Sequence, residues 1–231
     1  VVRREAQTAK LRALFPSYTD KITFVVIPDI TVSGSFDAAL QGVEYVIHVA
    51  SPLFSAGEDL LKPAVQGTVS VLKSALKAPS VKRVVVTASA LSLVSLKPIA
   101  DGSVIRGMYL LCFIPLHLLR DRMDQREAED NETDFTINKE ALPSQPGFVQ
   151  YHASKLASYK AVLDFQETQN PHFEIITIHP VHVFGRSLVQ ESASDLGGTN
   201  GLLFQALMTE TNAFGHYLGV HVNDVAVAHV R

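Results

Sequence analysis

The sequence predicts an α/β protein with a doubly wound parallel sheet, and two patterns carry that expectation. Four short apolar runs rich in β-branched residues read as strands: Ile22–Ile27 (ITFVVI), Val43–Ala50 (VEYVIHVA), Val81–Thr87 (VKRVVVT) and Glu174–His179 (EIITIH). Segments with helical spacing of apolar residues lie between them. Strands apolar on both faces and separated by helices indicate a parallel sheet covered on both sides. Right-handed crossovers then make it doubly wound. The chain has 231 residues, 47% hydrophobic and 19% charged, enough apolar content for a full core.

Each element has its own signal. Val1–Val2 reads as the end of a strand. Glu5–Phe15 places Ala9, Leu11, Leu14 and Phe15 at helical spacing, and Pro16 ends it. Phe36–Leu40 reads as one helical turn. Glu58–Lys77 carries a stripe of Leu60, Leu61, Ala64, Val65, Val69, Leu72, Ala75 and Leu76. Pro63 lies inside that stripe and is placed in the first turn, where its missing N–H costs nothing. Phe148–Glu167 reads as a helix. Turn residues at Gly197–Gly201 precede a short helix, a strand at Tyr217–Val222 and a helix from Asn223 to Arg231.

Composition excludes several classes. Twenty Lys and Arg against 23 Asp and Glu give a net charge of −3, which offers no footprint for nucleic acid. The single cysteine, Cys112, allows no intrachain disulfide and reads as an inert buried thiol. The apolar run Gly107–Leu119 is shorter than the about 20 residues a spanning helix needs. It reads as a buried or loop segment, with an interfacial segment as the alternative because Arg106, Arg120 and Arg122 flank it. No signal-peptide order is present at the start, so the cytoplasm is the default location. The nine histidines show no H-E-x-x-H or Cys/His pairing, so no metal is expected. No G-x-S-x-G elbow points to a hydrolase.

Five local features bear on chemistry, and each alone also fits an ordinary structural role. Tyr151 and Lys155, in Y-H-A-S-K, share one face of a helix, where the ammonium is expected to lower the phenol pKa and suit it to proton transfer. His152 within that motif reads as a variable position. Ser89 ends the Val84–Ala90 run at a strand's carboxyl end, where ligands bind in open α/β sheets, and can donate to a developing oxyanion. Val46–Pro52 is a second strand ending in small residues. Asp29 and Ile30 follow the Ile22–Ile27 run. Arg3 and Arg4, with Lys10, can accommodate a 2′-phosphate, although Glu5 lies close by.

Together these pieces resemble the extended short-chain dehydrogenase/reductase superfamily. They are most similar to the group with dihydroflavonol reductase, cinnamoyl-CoA reductase and fungal methylglyoxal, aldehyde and ketone reductases. The resemblance rests on V-R-R-E-A-Q-T-A-K-L-R-A-L-F-P, the P-D-I-T to V-I-H-V-A-S-P stretch, A-V-Q-G-T-V-S-V-L-K-S-A, V-K-R-V-V-V-T-A-S-A, Y-H-A-S-K, H-P-V-H-V-F-G and V-H-V-N-D-V-A-V-A-H-V, in family order. It implies a Rossmann-like fold and Ser89, Tyr151 and Lys155 as the catalytic set. It further implies Arg3 and Lys10 at the 2′-phosphate of NADPH, and Asp29 and Ile30 at the adenine. Val49, Ala50 and Ser51 would run along the middle of the cofactor, Thr87 and Ala88 beside the nicotinamide, and Pro180 and Val183 on its other side. Tyr151 and Lys155 would also contact the cofactor.

The sequence departs from the family in three places. It lacks the G-x-x-G-x-x-G turn that cradles a pyrophosphate. On the resemblance it opens at the family's second strand, so the first βα unit is expected to be missing. It also stops before the substrate lobe is complete. Residues 1–185 are then expected to form the NAD(P)-binding domain and 186–231 the start of the substrate lobe. Residues 105–131 do not align, and read either as an unspliced intron or as an inserted lid. The resemblance implies NADPH-dependent reduction of a small-molecule aldehyde or ketone, with no nucleic acid or membrane partner. Weak or no NADPH binding is expected of this chain alone. A sugar-nucleotide epimerase or dehydratase, and an inactive fragment serving as a binding module, stay open. The substrate and the oligomeric state are not legible in the sequence.

Overall fold

The computed structural model describes residues 1–51, 59–94, 96, 134–208 and 218–231. In chain order its elements are α1 (Ala6–Leu14), β1 (Tyr45–His48), α2 (Leu61–Leu76), β2 (Arg83–Thr87), α3 (Gly147–Gln169), β3 (Glu174–Ile178), β4 (His182–Phe184), α4 (Gly198–Met208), β5 (Gly219–His221) and α5 (Val222–Val230). The apolar run Gly107–Leu119 and the unaligned segment 105–131 lie outside the described residues, so neither reading of them is tested. The chain forms two compact units, one of Asp29–His179 and one of Val1–Pro28 with Pro180–Arg231.

The Asp29–His179 unit is built on a parallel sheet of order β1-β2-β3. Its register pairs Ile47 with Val85 and Val85 with Ile176. The first β2–β3 pair is Arg83 and Glu174, and the guanidinium meets the carboxylate at 2.8 Å. That half-exposed ion pair marks the register without adding much stability. Val84, Val85 and Val86 are buried, as a central strand requires. β1 differs from the expected pattern. It alternates, with Val46 and His48 buried and Tyr45 and Ile47 exposed. Like β3, it is an outer strand of the three described, and one of its two faces stays exposed.

α2 starts where the Asp59 carboxylate accepts from the Leu61 N–H at 2.9 Å. Pro63 stands at its third position, in the first turn, as the sequence predicts. The buried face of α2 runs through Ala64, Gly67, Thr68, Val71, Leu72 and Ala75, spaced three and four apart. Most of these are small, which lets α2 pack closely on α3. Gly67 lies close under Ile30, whose Cδ1 would be 2.9 Å from a Cβ at this position and would have to move to admit one. Ala153, Ser154 and Leu156 are fully buried on α3. The Thr68 and Ser158 hydroxyls join the two helices at 2.9 Å. α3 ends at Asn170, which takes the left-handed conformation with φ 41°.

In the other unit, Val2 and Val26 form a single parallel bridge. Val2 N–H donates to Val25 O and Ile27 N–H donates to Val2 O, each at 2.9 Å. Among the described residues the Ile22–Ile27 run makes this single bridge and no ladder, so it is not the strand its composition predicts. Elsewhere in this unit β4 and β5 pair in parallel. The Asn200 side chain holds Gly185 at both ends, accepting from its N–H at 3.1 Å and donating to its carbonyl at 2.7 Å. Gly185 has φ 136° and no room for a Cβ, which would meet Val222 Cγ1 at 2.7 Å. Among the described residues no helix is long and apolar enough to cross a membrane.

Leu72 is fully buried at the centre of the α2 face. Leu72→Ala is expected to lower unfolding stability by about 2–5 kcal/mol, read from the urea midpoint. A loss below about 1 kcal/mol would mean that this face is not packed as described.

Candidate active site

Three strands of one parallel sheet end on the same side, and the chain leaves each end through small or polar residues. After β1 come Val49, Ala50 and Ser51; at the end of β2 come Thr87, Ala88 and Ser89; after β3 comes His179. Ala88 N–H donates to Ile178 O at 2.8 Å and extends the sheet by one bond. α3 carries Tyr151 and Lys155 one turn apart. A small cavity lies here, lined by Ala50, Ser51, Thr87, Ala88 and Lys155 together with His48. Five of the sequence-predicted site residues thus meet at one place.

Lys155 is the electrostatic centre of the site. It is 7% exposed, and its Nζ donates to Ser51 Oγ at 3.0 Å. The ammonium also lies over the Tyr151 ring, 5.6 Å from its centroid. Burial pushes the Lys155 pKa down from its usual value, since the charged form loses water. Burial likewise pushes the Tyr151 phenol up. This corrects the expectation of a lowered phenol pKa. Sharing a helix face is not enough, because the ammonium faces the ring and Ser51, and the loss of water dominates.

Ser89 is half-buried and opens a 3-10 turn, Ala90–Leu93, in which its Oγ accepts from the Leu91 N–H at 3.2 Å. The hydroxyl proton is then free to be donated outward. Two histidines anchor that turn. His152 Nε2 bonds Val94 O at 2.8 Å and ties α3 to the residue after the turn. His179 Nδ1 lies 2.9 Å from Ser92 Oγ and 3.2 Å from Ser89 O, and its Nε2 lies 2.9 Å from Thr177 Oγ1. Its ring meets the Tyr159 ring edge-on at 4.7 Å. Burial pushes His179 down to about 4 and His48 to about 4, so both rings are neutral near pH 7.

The reading of His152 as a variable position therefore misses a buried anchor. His48 was legible in principle, since it falls two residues after the buried Val46 on the same face of β1. His152 and His179 had no such signal, because their partners lie far away in sequence.

The remaining predicted residues are placed separately. Asp29 Oδ1 accepts from the Thr31 N–H at 2.8 Å and its hydroxyl at 2.7 Å, and Ile30 packs on Gly67. Val49 is 61% exposed. Arg3, Lys10, Pro180 and Val183 belong to the other unit. There Arg3 is exposed, with its backbone N–H donating to Gln7 Oε1 at 3.0 Å. Lys10 Nζ pairs with Glu191 Oε1 at 2.8 Å, a contact that raises its pKa. The Val183 carbonyl accepts from Thr199 Oγ1, and Pro180 is half-buried. Among the described residues no group of three or more His, Cys, Asp or Glu side chains could hold a metal ion.

A parallel α/β sheet with a Tyr-x-x-x-Lys helix beside its strand ends defines a Rossmann-type protein. Comparisons with known proteins narrow this. No family model matches the chain. The ketoreductase sphI of Aspergillus fumigatus is 34% identical over 233 residues, covering 96% of this chain and 63% of the relative. Gre2 from Candida albicans in complex with NADPH superposes with a TM-score of 0.74 at 26% identity, over 99% of this chain and 64% of that one. Yeast methylglyoxal/isovaleraldehyde reductase Gre2 complexed with NADPH gives 0.73 at 26% identity, with the same coverage of 99% and 64%. The chain spans less than two thirds of the length of these relatives. It belongs to the extended short-chain dehydrogenase/reductase superfamily, in the group of dihydroflavonol reductases and fungal aldehyde and ketone reductases.

The two depressed histidines carry a pH signature. In the unfolded chain each binds a proton near pH 6.5, and in the folded chain only near about 4. Their stabilisation is complete above pH 6.5 and is lost as pH falls from there toward 4. Urea midpoints are expected to drop across that window, by up to about 1.4 kcal/mol per pH unit for each histidine. His179→Gln should flatten the slope by roughly half. Stability that stays level from pH 6.5 to 4.5 would contradict the burial of both rings.

Proposed function

We propose that the chain is part of an NADPH-dependent carbonyl reductase that converts an aldehyde or ketone to an alcohol. One observation carries this reading: a phenol kept protonated by burial shares a helix face with a buried ammonium, and that ammonium lines a cavity at the strand ends. The donors at these strand ends have the chemistry that ribose hydroxyls need, with the Ser51 and Thr87 hydroxyls and the Lys155 ammonium, and would hold a nicotinamide riboside outside the small cavity they line. NADPH, when bound, supplies the hydride for the carbonyl carbon. Tyr151 Oη gives its proton to the carbonyl oxygen, and Ser89 Oγ–H donates a hydrogen bond to that oxygen as negative charge builds. Lys155 stabilises the phenolate left on Tyr151 and bonds the ribose.

In this reading residues 1–185 bind the cofactor and 186–231 contribute to the substrate side. Asp29 and Ile30 meet the adenine, and Val49–Ser51 follow the middle of the cofactor. Thr87, Ala88, Pro180 and Val183 would hold the nicotinamide. Arg3 holds the 2′-phosphate, with Lys10 joining once it leaves Glu191. The relative named as a ketoreductase, and the similar structures with NADPH, support the same class.

In the protein that contains this chain, Tyr151→Phe is expected to lower kcat for simple carbonyls by about 10²–10⁴-fold while NADPH binding persists. Near-normal turnover would remove Tyr151 from the role. Turnover of UDP-sugars in place of simple carbonyls would point to epimerase or dehydratase chemistry instead. Arg3→Ala should weaken NADPH by about tenfold and leave NADH unchanged, with a smaller effect from Lys10→Ala. Equal losses for both cofactors would place the 2′-phosphate elsewhere.

A further inference from the structure

His48 ends β1 with its side chain turned inward, 6% exposed. Its Nε2 is buried and has no hydrogen-bond partner. Buried polar atoms are almost always paired, so an orphan of this kind calls for an explanation. His48 lines the same cavity as Lys155, Ser51, Thr68 and Ser158. The free volume there is about 10 Å³, the size of a single water site.

The hydrogen-bond inventory around the cavity is uneven. Lys155 Nζ has three N–H donors and gives one to Ser51. Thr68 Oγ1 donates to Ala64 O at 3.0 Å, so at its 2.9 Å contact with Ser158 it is Ser158 that donates. That leaves lone pairs on Ser158 Oγ and a lone pair on an unprotonated His48 Nε2. One water can accept from Lys155 and donate to both, meeting the two to four partners that a buried water needs. The titratable groups facing Lys155 are His48 from β1 and Tyr151 and Tyr159 from its own helix. Among the described lining residues no carboxylate balances the ammonium. The described lining residues that can hold it are neutral acceptors, His48 among them.

We propose that His48 is a positioning residue for Lys155: its Nε2 accepts a hydrogen bond from one buried water that itself accepts from the Lys155 ammonium. Burial keeps the ring neutral, so the acceptor persists through the neutral pH range. A neutral acceptor favours the charged amine, and its removal adds to the downward push that burial already exerts on Lys155. The effect on Tyr151 rests on the proposed reduction, but the His48–Lys155 coupling does not.

The test is a ¹⁵N NMR titration of Lys155 Nζ in the chain without cofactor, the signal assigned by its loss in Lys155→Met. In His48→Leu the Lys155 midpoint is expected to fall by about one pH unit, the size of one charge-assisted hydrogen bond. His48→Gln, whose amide oxygen accepts, should stay closer to the parent. An unchanged midpoint in His48→Leu overturns the proposal. If neither variant folds, the imidazole ¹⁵N spectrum of the parent decides. An unprotonated Nε2 whose shift moves in Lys155→Met supports the coupling. A protonated Nε2, or a shift indifferent to Lys155, overturns it. Absence of carbonyl reduction would instead sink the proposed function and leave this coupling standing.

Discussion

A buried ammonium with no carboxylate among the described residues that line its cavity is the constraint around which the Asp29–His179 unit is arranged. Lys155 keeps 7% of its surface in contact with solvent, and its hydrogen bond to Ser51 crosses from α3 to the end of β1. A charge removed from water needs fixed dipoles in place of its hydration shell. Such dipoles stay fixed only if the helix and the strand ends cannot shift. The Thr68–Ser158 bond between α2 and α3 and the small buried residues of both helices supply that rigidity.

The same burial decides how protons are held. It raises Tyr151 and lowers Lys155, so the phenol is a proton donor near pH 7 rather than a standing phenolate. That state suits reduction, in which a proton must be delivered to an oxygen gaining charge. Ser89, the other donor of the proposed pair, is held by its surroundings more than by its own turn. His179 reaches its carbonyl from the end of β3, and His152 grips the far side of the turn from α3. A neutral His179 is well suited to this, since its ring bonds through both nitrogens without bringing a charge into the site.

Hydrophobic runs and breakers were sufficient to place β1, β2, β3 and the two long helices, because those elements bury wide apolar stripes that show up as local periodicity. The failure at Ile22–Ile27 has the opposite cause. Its composition favours a strand, but a strand exists only where a neighbour lies alongside, and among the described residues it pairs at one bridge, with Val2. β1 shows the same dependence in a milder form, apolar along its length yet buried on one face only.

The sequence by itself determined the parallel α/β class, the order of the motifs and the pairing of Tyr151 with Lys155, because these depend on spacing along one chain. Only the tertiary structure decided the direction of the Tyr151 pKa, the partner of Lys155 and the work of His48, His152 and His179. Burial and hydrogen bonding are set by atoms far apart in sequence: Ser51 lies 104 residues from Lys155, and Ser89 lies 90 from His179. No local pattern encodes such a meeting, and it exists only once the strand ends and α3 have packed together.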